Sequence, residues 1–242
     1  MEQSNHHPSA TTAWTKYLVV AIVLFVAAAA LWWRQTNLEQ PVSQQGEQLQ
    51  AELNTVPPRP ELSGVAPASN ETEYVIGDPE TAQLLLIEYI DLNCSFCKQF
   101  HGTMQTVTQQ YGSQVAWVVR HFPVQGSIQR SAWLECVGDK QGSDAYWQFI
   151  AAYYAEVTST PAARDDALFE DWLAANEYDQ LDCDLDSYTA KIAAQHAEGT
   201  AAGVVGTPTM VLETASGERE IVMGALTEET LTQLIDSYLP AD

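Results

Sequence analysis

The sequence predicts an α/β domain carried behind an apolar N-terminal helix. Three observations predict it: an apolar run at Gln83–Ile90 that leads into a helical period, a long helical stretch from Ile128 to Gly199, and two short strand patterns before a capped helix at Thr227–Leu239. With 242 residues, 46 % hydrophobic and 10 % aromatic, the chain can bury one substantial core and still carry appendages. Acids outnumber Lys and Arg 32 to 10, for a net charge of −22. Such a surface repels nucleic acid and anionic lipid, so no nucleic-acid partner is expected. It is compatible with basic clients, and solubility is the plainer account of it.

Residues 1–16 are polar and read as a short cytoplasmic segment. Tyr17–Trp33 carries no charge and as a helix spans roughly 25 Å. That is just short of a ~30 Å hydrocarbon core, and Lys16 can extend it by snorkelling. Trp14, Trp32 and Trp33 stand where interfacial anchors belong. Residues 17–34 therefore read as a transmembrane signal anchor. A signal peptide cut after Ala28-Ala29-Ala30 is the alternative, and the apolar run on through Trp33 argues against it. Lys16 and Arg34 flank both ends, so charge alone does not set the orientation. Residues 35–73, rich in Gln, Glu, Pro and Ser, hold no period and read as a flexible linker with a reach of roughly 35 Å.

The folded domain is expected over 74–242. Gln83–Ile90 (QLLLIEYI) suits a strand covered on both faces. From Cys94 to about Gln110 the apolar residues Phe96, Phe100, Met104 and Val107 recur at three and four, as on a helix. Val115–Val119 is a second buried strand, ending at Arg120-His121-Phe122-Pro123. Strand, helix and strand in this order make a parallel pair with a right-handed crossover. A helical insertion fills about 127–200. Thr209–Glu213 and Glu220–Met223 read as strands around a turn at Ala215-Ser216-Gly217. Thr227 caps the closing helix, and the acids after it suit the helix macrodipole. This order, β-α-β, helical insertion, β-β-α, is the plan of a thioredoxin fold with an inserted helical domain.

Cys94 and Cys97 form a C-x-x-C where the first strand gives way to its helix. The reactive species in thiol chemistry is the thiolate. A helix N-terminus offers about half a positive charge and free N–H groups. Both favour an anion at Cys94 over Cys97, so Cys94 is the attacking thiol and Cys97 the resolving one. Residues three apart share a helix face, which lets the two sulfurs close a ring. A zinc site completed by His101 and His121 is one competing reading, though no second C-x-x-C exists. A purely structural disulfide is another. No metal and no cofactor are expected.

Glu88 interrupts an apolar strand on the face of Ile90. Buried, it must be protonated or partnered, and it then suits a proton acceptor for Cys97. At a sheet edge it would simply face solvent. Gly206-Thr207-Pro208-Thr209 precedes a strand. A cis Thr207–Pro208 bond, which sequence alone does not establish, would leave backbone groups free to pair with an extended client. Thr207, Pro208 and Phe96 are therefore candidate client contacts. Cys136 and Cys183, both in the insertion, are either a disulfide worth about 4 kcal/mol or buried free thiols; the disulfide is the favoured reading.

The stretch Glu88-Tyr89-Ile90-Asp91-Leu92-Asn93-Cys94-Ser95-Phe96-Cys97-Lys98-Gln99-Phe100 resembles the active-site segment of DsbA-family thiol–disulfide oxidoreductases, particularly the membrane-anchored BdbD-like branch. Gly203-Val204-Val205-Gly206-Thr207-Pro208-Thr209 resembles that family's cis-proline loop, and Met223-Gly224-Ala225 the entry to its last helix. The resemblance covers about residues 74–240. It implies catalysis of disulfide exchange, Glu88 at the position of a buried acid, Pro208 cis, and a Cys136–Cys183 bridge as in some relatives. The Ser95-Phe96 dipeptide departs from the Pro or His common there, which removes one source of thiolate stabilisation and bears on the direction of exchange. The expectation is a single-pass membrane protein whose catalytic domain lies on the periplasmic or outer side. There it would introduce disulfides into client proteins bearing free cysteines, and a membrane redox partner would re-oxidise it. A reductase or isomerase is the alternative, and a non-catalytic metal- or client-binding module a further one.

Overall fold

The computed structural model describes residues 11–38 and 62–239. Residues 1–10 of the expected cytoplasmic segment and residues 39–61 of the expected linker lie outside the described residues. The first unit holds helix α1, Thr11–Leu38. Leu18, Ile22, Phe25 and Leu31 on α1 are all well exposed. Among the described residues no helix is long and apolar enough to cross a membrane.

The second unit is organised by a five-stranded sheet in the order β1-β3-β2-β4-β5. Its strands are β1 Val75–Ile76, β2 Leu84–Ile90, β3 Val115–His121, β4 Thr209–Thr214 and β5 Arg219–Met223. β2 and β3 run parallel, joined by helix α2, Ser95–Tyr111. Every other neighbouring pair is antiparallel. β1 has only two residues and shows no alternation for sequence reasoning to find.

β2 is buried at every position because helices and loops cover both faces. Leu84, Leu86 and Ile90 enter one core, and Leu85, Ile87 and Tyr89 enter another. The first core receives Phe100, Met104 and Val107 from α2, and Leu231 and Ile235 from the closing helix α7, Glu228–Tyr238. The insertion consists of α3 Ile128–Gln141, α4 Ser143–Glu156, α5 Asp166–Ala175 and α6 Leu185–Ala201. α4 adds Phe149, Ile150 and Tyr153 to the same core. At about 1.5–3 kcal/mol for each large apolar side chain, this helix contributes heavily to holding the insertion on the sheet.

On the other face α6 passes so close that a Cβ at Gly199 would meet the Tyr89 ring at 2.9 Å. The Cys136–Cys183 disulfide, with Cα atoms 5.8 Å apart, ties α3 to the residues just ahead of α6. It was one of two readings open to the sequence, and it is the one found.

The boundary at residue 73 needs correction. The segment from Leu62 onward packs on the sheet: Val65 is buried, and Arg219 Nη1 donates to the carbonyls of Leu62 and Val65 at 2.6 and 2.8 Å. Arg120 then binds Glu73 at 2.7 Å and Glu198 of α6 at 2.8 Å. These contacts use backbone carbonyls and single carboxylates, which leave no hydrophobic period in the sequence.

Candidate active site

α2 begins at Ser95, and its N-cap position is filled by Cys94 in an extended conformation, φ −87° and ψ 119°. The usual N-cap residues accept from the free N–H groups of the first turn through a side-chain oxygen. Cys94 makes no such side-chain bond; its sulfur stands where an N-cap oxygen would, beside N–H groups that favour an anion. The helix start is set from upstream. Asp91 is fully buried, its carbonyl accepts from Cys94 N at 3.0 Å, and its carboxylate accepts from Asn93 N at 2.7 Å. The other carboxylate oxygen accepts from Val124 N and Gln125 N at 2.8 and 2.7 Å. One side chain thus ends β2, starts α2 and fixes the loop after β3. Asn93 extends the brace, donating to Gln125 O at 3.2 Å and accepting from Tyr153 Oη at 2.8 Å.

Opposite the helix start stands the turn into β4, where the Thr207–Pro208 peptide is cis. Cys94 Sγ donates to Thr207 O at 3.3 Å. Cys94 and Cys97 are both free thiols, both buried. A hydrogen bond from the Cys97 thiol does most to bring the Cys94 pKa down from 9.0 to about 6. Burial opposes it, while the Thr207 side chain and the N–H groups of Cys97 and Phe96 reinforce it. Cys97 moves the other way. Burial raises its pKa far above the ordinary thiol value, and the hydrogen bond to Cys94 and the charge of Glu88 add to the rise. The pair is therefore one thiolate at the start of α2 and one thiol locked deeper in the core.

Glu88 lies on the central strand β2, fully buried, with its Oε2 accepting from Trp117 Nε1 at 3.1 Å. The solvent-facing alternative does not hold, because β3 and β4 flank β2 on both sides. Burial pushes the Glu88 pKa up from 4.5 to about 8, only partly offset by Trp117. The first core thus brings Glu88, Cys94 and Cys97 together below the cis turn.

Around the sulfurs the surface is apolar. Phe96 is 64 % exposed and Val205 82 % exposed. Val124 and Met223 are exposed as well, Met223 beside Gly224, whose N–H donates to Pro208 O at 2.9 Å. Cys136 and Cys183 stand apart from this site, in their own disulfide. His121 does not join Cys94 and Cys97; its Nε2 meets Glu135 at 2.8 Å. Among the described residues no three His, Cys, Asp or Glu side chains gather as metal ligands. Sequence reasoning missed Asp91, Asn93 and Trp117. An Asp-x-Asn directly after an apolar strand is the signature of a side-chain-braced turn, and it was the available clue to the first two.

A thioredoxin family model, described as Thioredoxin, matches residues 69–237. The fold is similar to Pseudomonas aeruginosa DsbA2, with a TM-score of 0.54, 24 % identity, and 69 % of this chain and 94 % of that one covered. It is also similar to Wolbachia pipientis alpha-DsbA1, with a TM-score of 0.61, 20 % identity, and 73 % and 94 % covered. Among curated proteins, the Na(+)/H(+) antiporter NhaA 1 of Mycobacterium sp. (strain KMS) is 38 % identical over 95 residues, which is 39 % of this chain. The chain spans about 15 % of the length of that relative. The family model covers more than half of the chain, and the chain belongs to the thioredoxin family.

Proposed function

We propose that this protein is a thiol–disulfide oxidoreductase that introduces disulfides into client proteins outside the cytoplasm. The observation that carries the reading is the placement of the pair: Cys94 caps the start of α2 with its Sγ 3.3 Å from Thr207 O of the cis turn, and Cys97 lies fully buried one turn inside. In the oxidised protein, a client thiolate attacks Cys94 Sγ. The Cys94–Cys97 bond breaks, its electron pair leaves on Cys97, and Glu88 supplies the proton that Cys97 keeps. A second client thiolate then attacks the client sulfur of the mixed disulfide. Cys94 departs as a thiolate, a good leaving group because its pKa is low. The client loses two electrons, its two thiol protons having gone to solvent; the protein is left with Cys94 as a thiolate, Cys97 as a thiol and Glu88 as a carboxylate that regains its proton from solvent. A membrane redox partner takes those electrons when it restores the disulfide.

The apolar rim of Phe96, Val124, Val205 and Met223 suits an extended client segment lying over Thr207 and Pro208. The acidic surface favours clients of opposite charge. The uncharged run Tyr17–Trp33 on α1, with its exposed apolar side chains, supports a membrane tether. The Cys136–Cys183 disulfide supports an oxidising compartment, periplasmic or outer.

Direction depends on magnitude. A thiol of pKa about 6 is ionised at pH 7, where one of 9.0 is not. That difference stabilises the reduced form by roughly 1.4 kcal/mol, or about 30 mV. This makes the pair moderately oxidising. Equilibration with glutathione tests it. The expected potential is about −240 mV, some 30 mV above the roughly −270 mV of thioredoxin and well below the roughly −120 mV of DsbA. A value at or below thioredoxin's makes the protein a reductase.

A further inference from the structure

Close to the cysteine pair lies a buried histidine that the steps above leave unused. His101 sits on α2 one turn after Cys97 and is 3 % exposed. Its ring centre lies 5.1 Å from that of Trp117 on β3, and 6.3 and 5.3 Å from those of Trp147 and Tyr154 on α4. Among the described residues neither ring nitrogen of His101 has a hydrogen-bond partner. Six buried atoms elsewhere among the described residues also lack one, and around His101 the same holds for Glu88 Oε1, Trp147 Nε1 and Tyr154 Oη. These last three and His101 belong to one cluster, because Trp117 is at once the neighbour of His101 and the donor to Glu88 Oε2. The charges of Cys97 and Glu88 both act on the Tyr154 hydroxyl, which places it facing them.

Roughly 90 % or more of buried polar groups are satisfied in folded proteins. Orphans scattered through a core are packing faults; orphans gathered around one acid and one imidazole offer a bridging water its two to four partners. We infer that His101 is a positioning residue for the resolving half of disulfide exchange, ordering bridging water that carries the Cys97 proton from Glu88 past Tyr154 and the half-buried Trp147 to solvent. The inference deepens the oxidoreductase reading and rests on it.

The chemistry balances: Glu88 begins as a carboxylate and ends neutral, and the departing sulfur carries the negative charge away. When Cys97 attacks a mixed disulfide at Cys94, its Sγ–H bond breaks and the sulfur electron pair forms the new S–S bond. The proton goes to Glu88, and the partner sulfur leaves with the electrons of the old bond. Glu88 must then release that proton to be ready for the next cycle. A neutral imidazole has one donor and one acceptor nitrogen. It can take a proton on one while giving up the other's. Burial keeps the ring neutral by lowering its pKa from 6.5 to about 4, so the relaying form persists at working pH. The groups facing the relay are Cys94 and Cys97 from α2, Glu88 from β2, Trp117 from β3, and Trp147 and Tyr154 from α4.

The test mixes the reduced full chain with oxidised glutathione and follows two phases from pH 5.5 to 9.5 by acid quench and mass. The first is formation of the Cys94–glutathione mixed disulfide. The second is its resolution by Cys97. His101→Phe keeps a ring in the aromatic cage, and His101→Gln keeps polarity without relaying a proton; thermal melts establish that each is folded. The expected result in both variants is an unchanged first phase and a second phase slowed about tenfold near pH 7. The second phase should converge on the parent's rate above pH 9, where hydroxide replaces the relay. Equal slowing of both phases, or a second phase with the parent's pH profile, overturns the inference. If the parent chain forms no mixed disulfide at all, the oxidoreductase reading itself fails and takes the inference with it.

Discussion

Two cysteine pairs in one domain have opposite fates, and the difference lies in what surrounds the sulfur. Cys136 and Cys183 join α3 to the segment ahead of α6 and are closed as a disulfide. Cys94 and Cys97 sit only three positions apart, at a helix start facing a cis turn, and are open as thiols. The first pair shortens a loop of 47 residues. The second has the N–H groups of a helix start beside one sulfur, and an acid, Glu88, acting on the other. Reactivity is thus a property of position: the same residue type is inert in the insertion and poised at the end of β2.

The comparison can be broken in graded steps. The largest effect on exchange is expected from Cys94→Ser: no mixed disulfide with glutathione or a thiol peptide by mass spectrometry, with the fold intact. Next is Glu88→Gln, which should slow resolution by Cys97 roughly 10- to 100-fold near pH 7 while leaving the first attack unchanged. The same variant has a stability signature. Burial raises the Glu88 pKa to about 8 from 4.5, so over that interval the unfolded chain has released a proton that the native protein keeps. Stability of the parent should therefore fall as pH rises between those values. Cys94 acts oppositely in the reduced protein, since its native pKa of about 6 lies below the ordinary 9.0, and adds stability as pH climbs through that range. Denaturant midpoints against pH separate the two, because Glu88→Gln abolishes only the decline.

Asp91→Ala should have a smaller effect on exchange and a clear one on stability. It strands the N–H groups of Asn93, Val124 and Gln125, at a cost of about 2–3 kcal/mol in urea unfolding. The least effect on exchange is expected from Cys136→Ser/Cys183→Ser. That pair closes a loop of 47 residues, so its loss should cost about 4 kcal/mol of stability while the Cys94 titration stays where it was.

How much was legible in the sequence follows the same division. β2 and α2 were readable because apolar runs and helical spacing are local, and so was the position of the cysteine pair between them. Strand alternation was enough to put Glu88 on the face of Ile90, where the cysteines lie. The cis state of Thr207–Pro208 and the pairing of Cys136 with Cys183 were open to more than one reading from residues alone. Both depend on chain segments distant in sequence. The packing of Leu62–Val65 under Arg219 was invisible, since a carbonyl accepting from a guanidinium leaves no mark on composition. His101 was weighed only as a metal ligand, because the aromatic cage that isolates it comes from two other elements, β3 and α4.

The most direct test of this account is the titration of Cys94 in the reduced protein, followed as thiolate absorbance near 240 nm and as iodoacetamide reactivity against pH. The account predicts a single ionisation with a midpoint near 6, lost in Cys94→Ser, with Cys97 silent throughout. A midpoint close to the ordinary 9.0, or alkylation of Cys97 in step with Cys94, would contradict it.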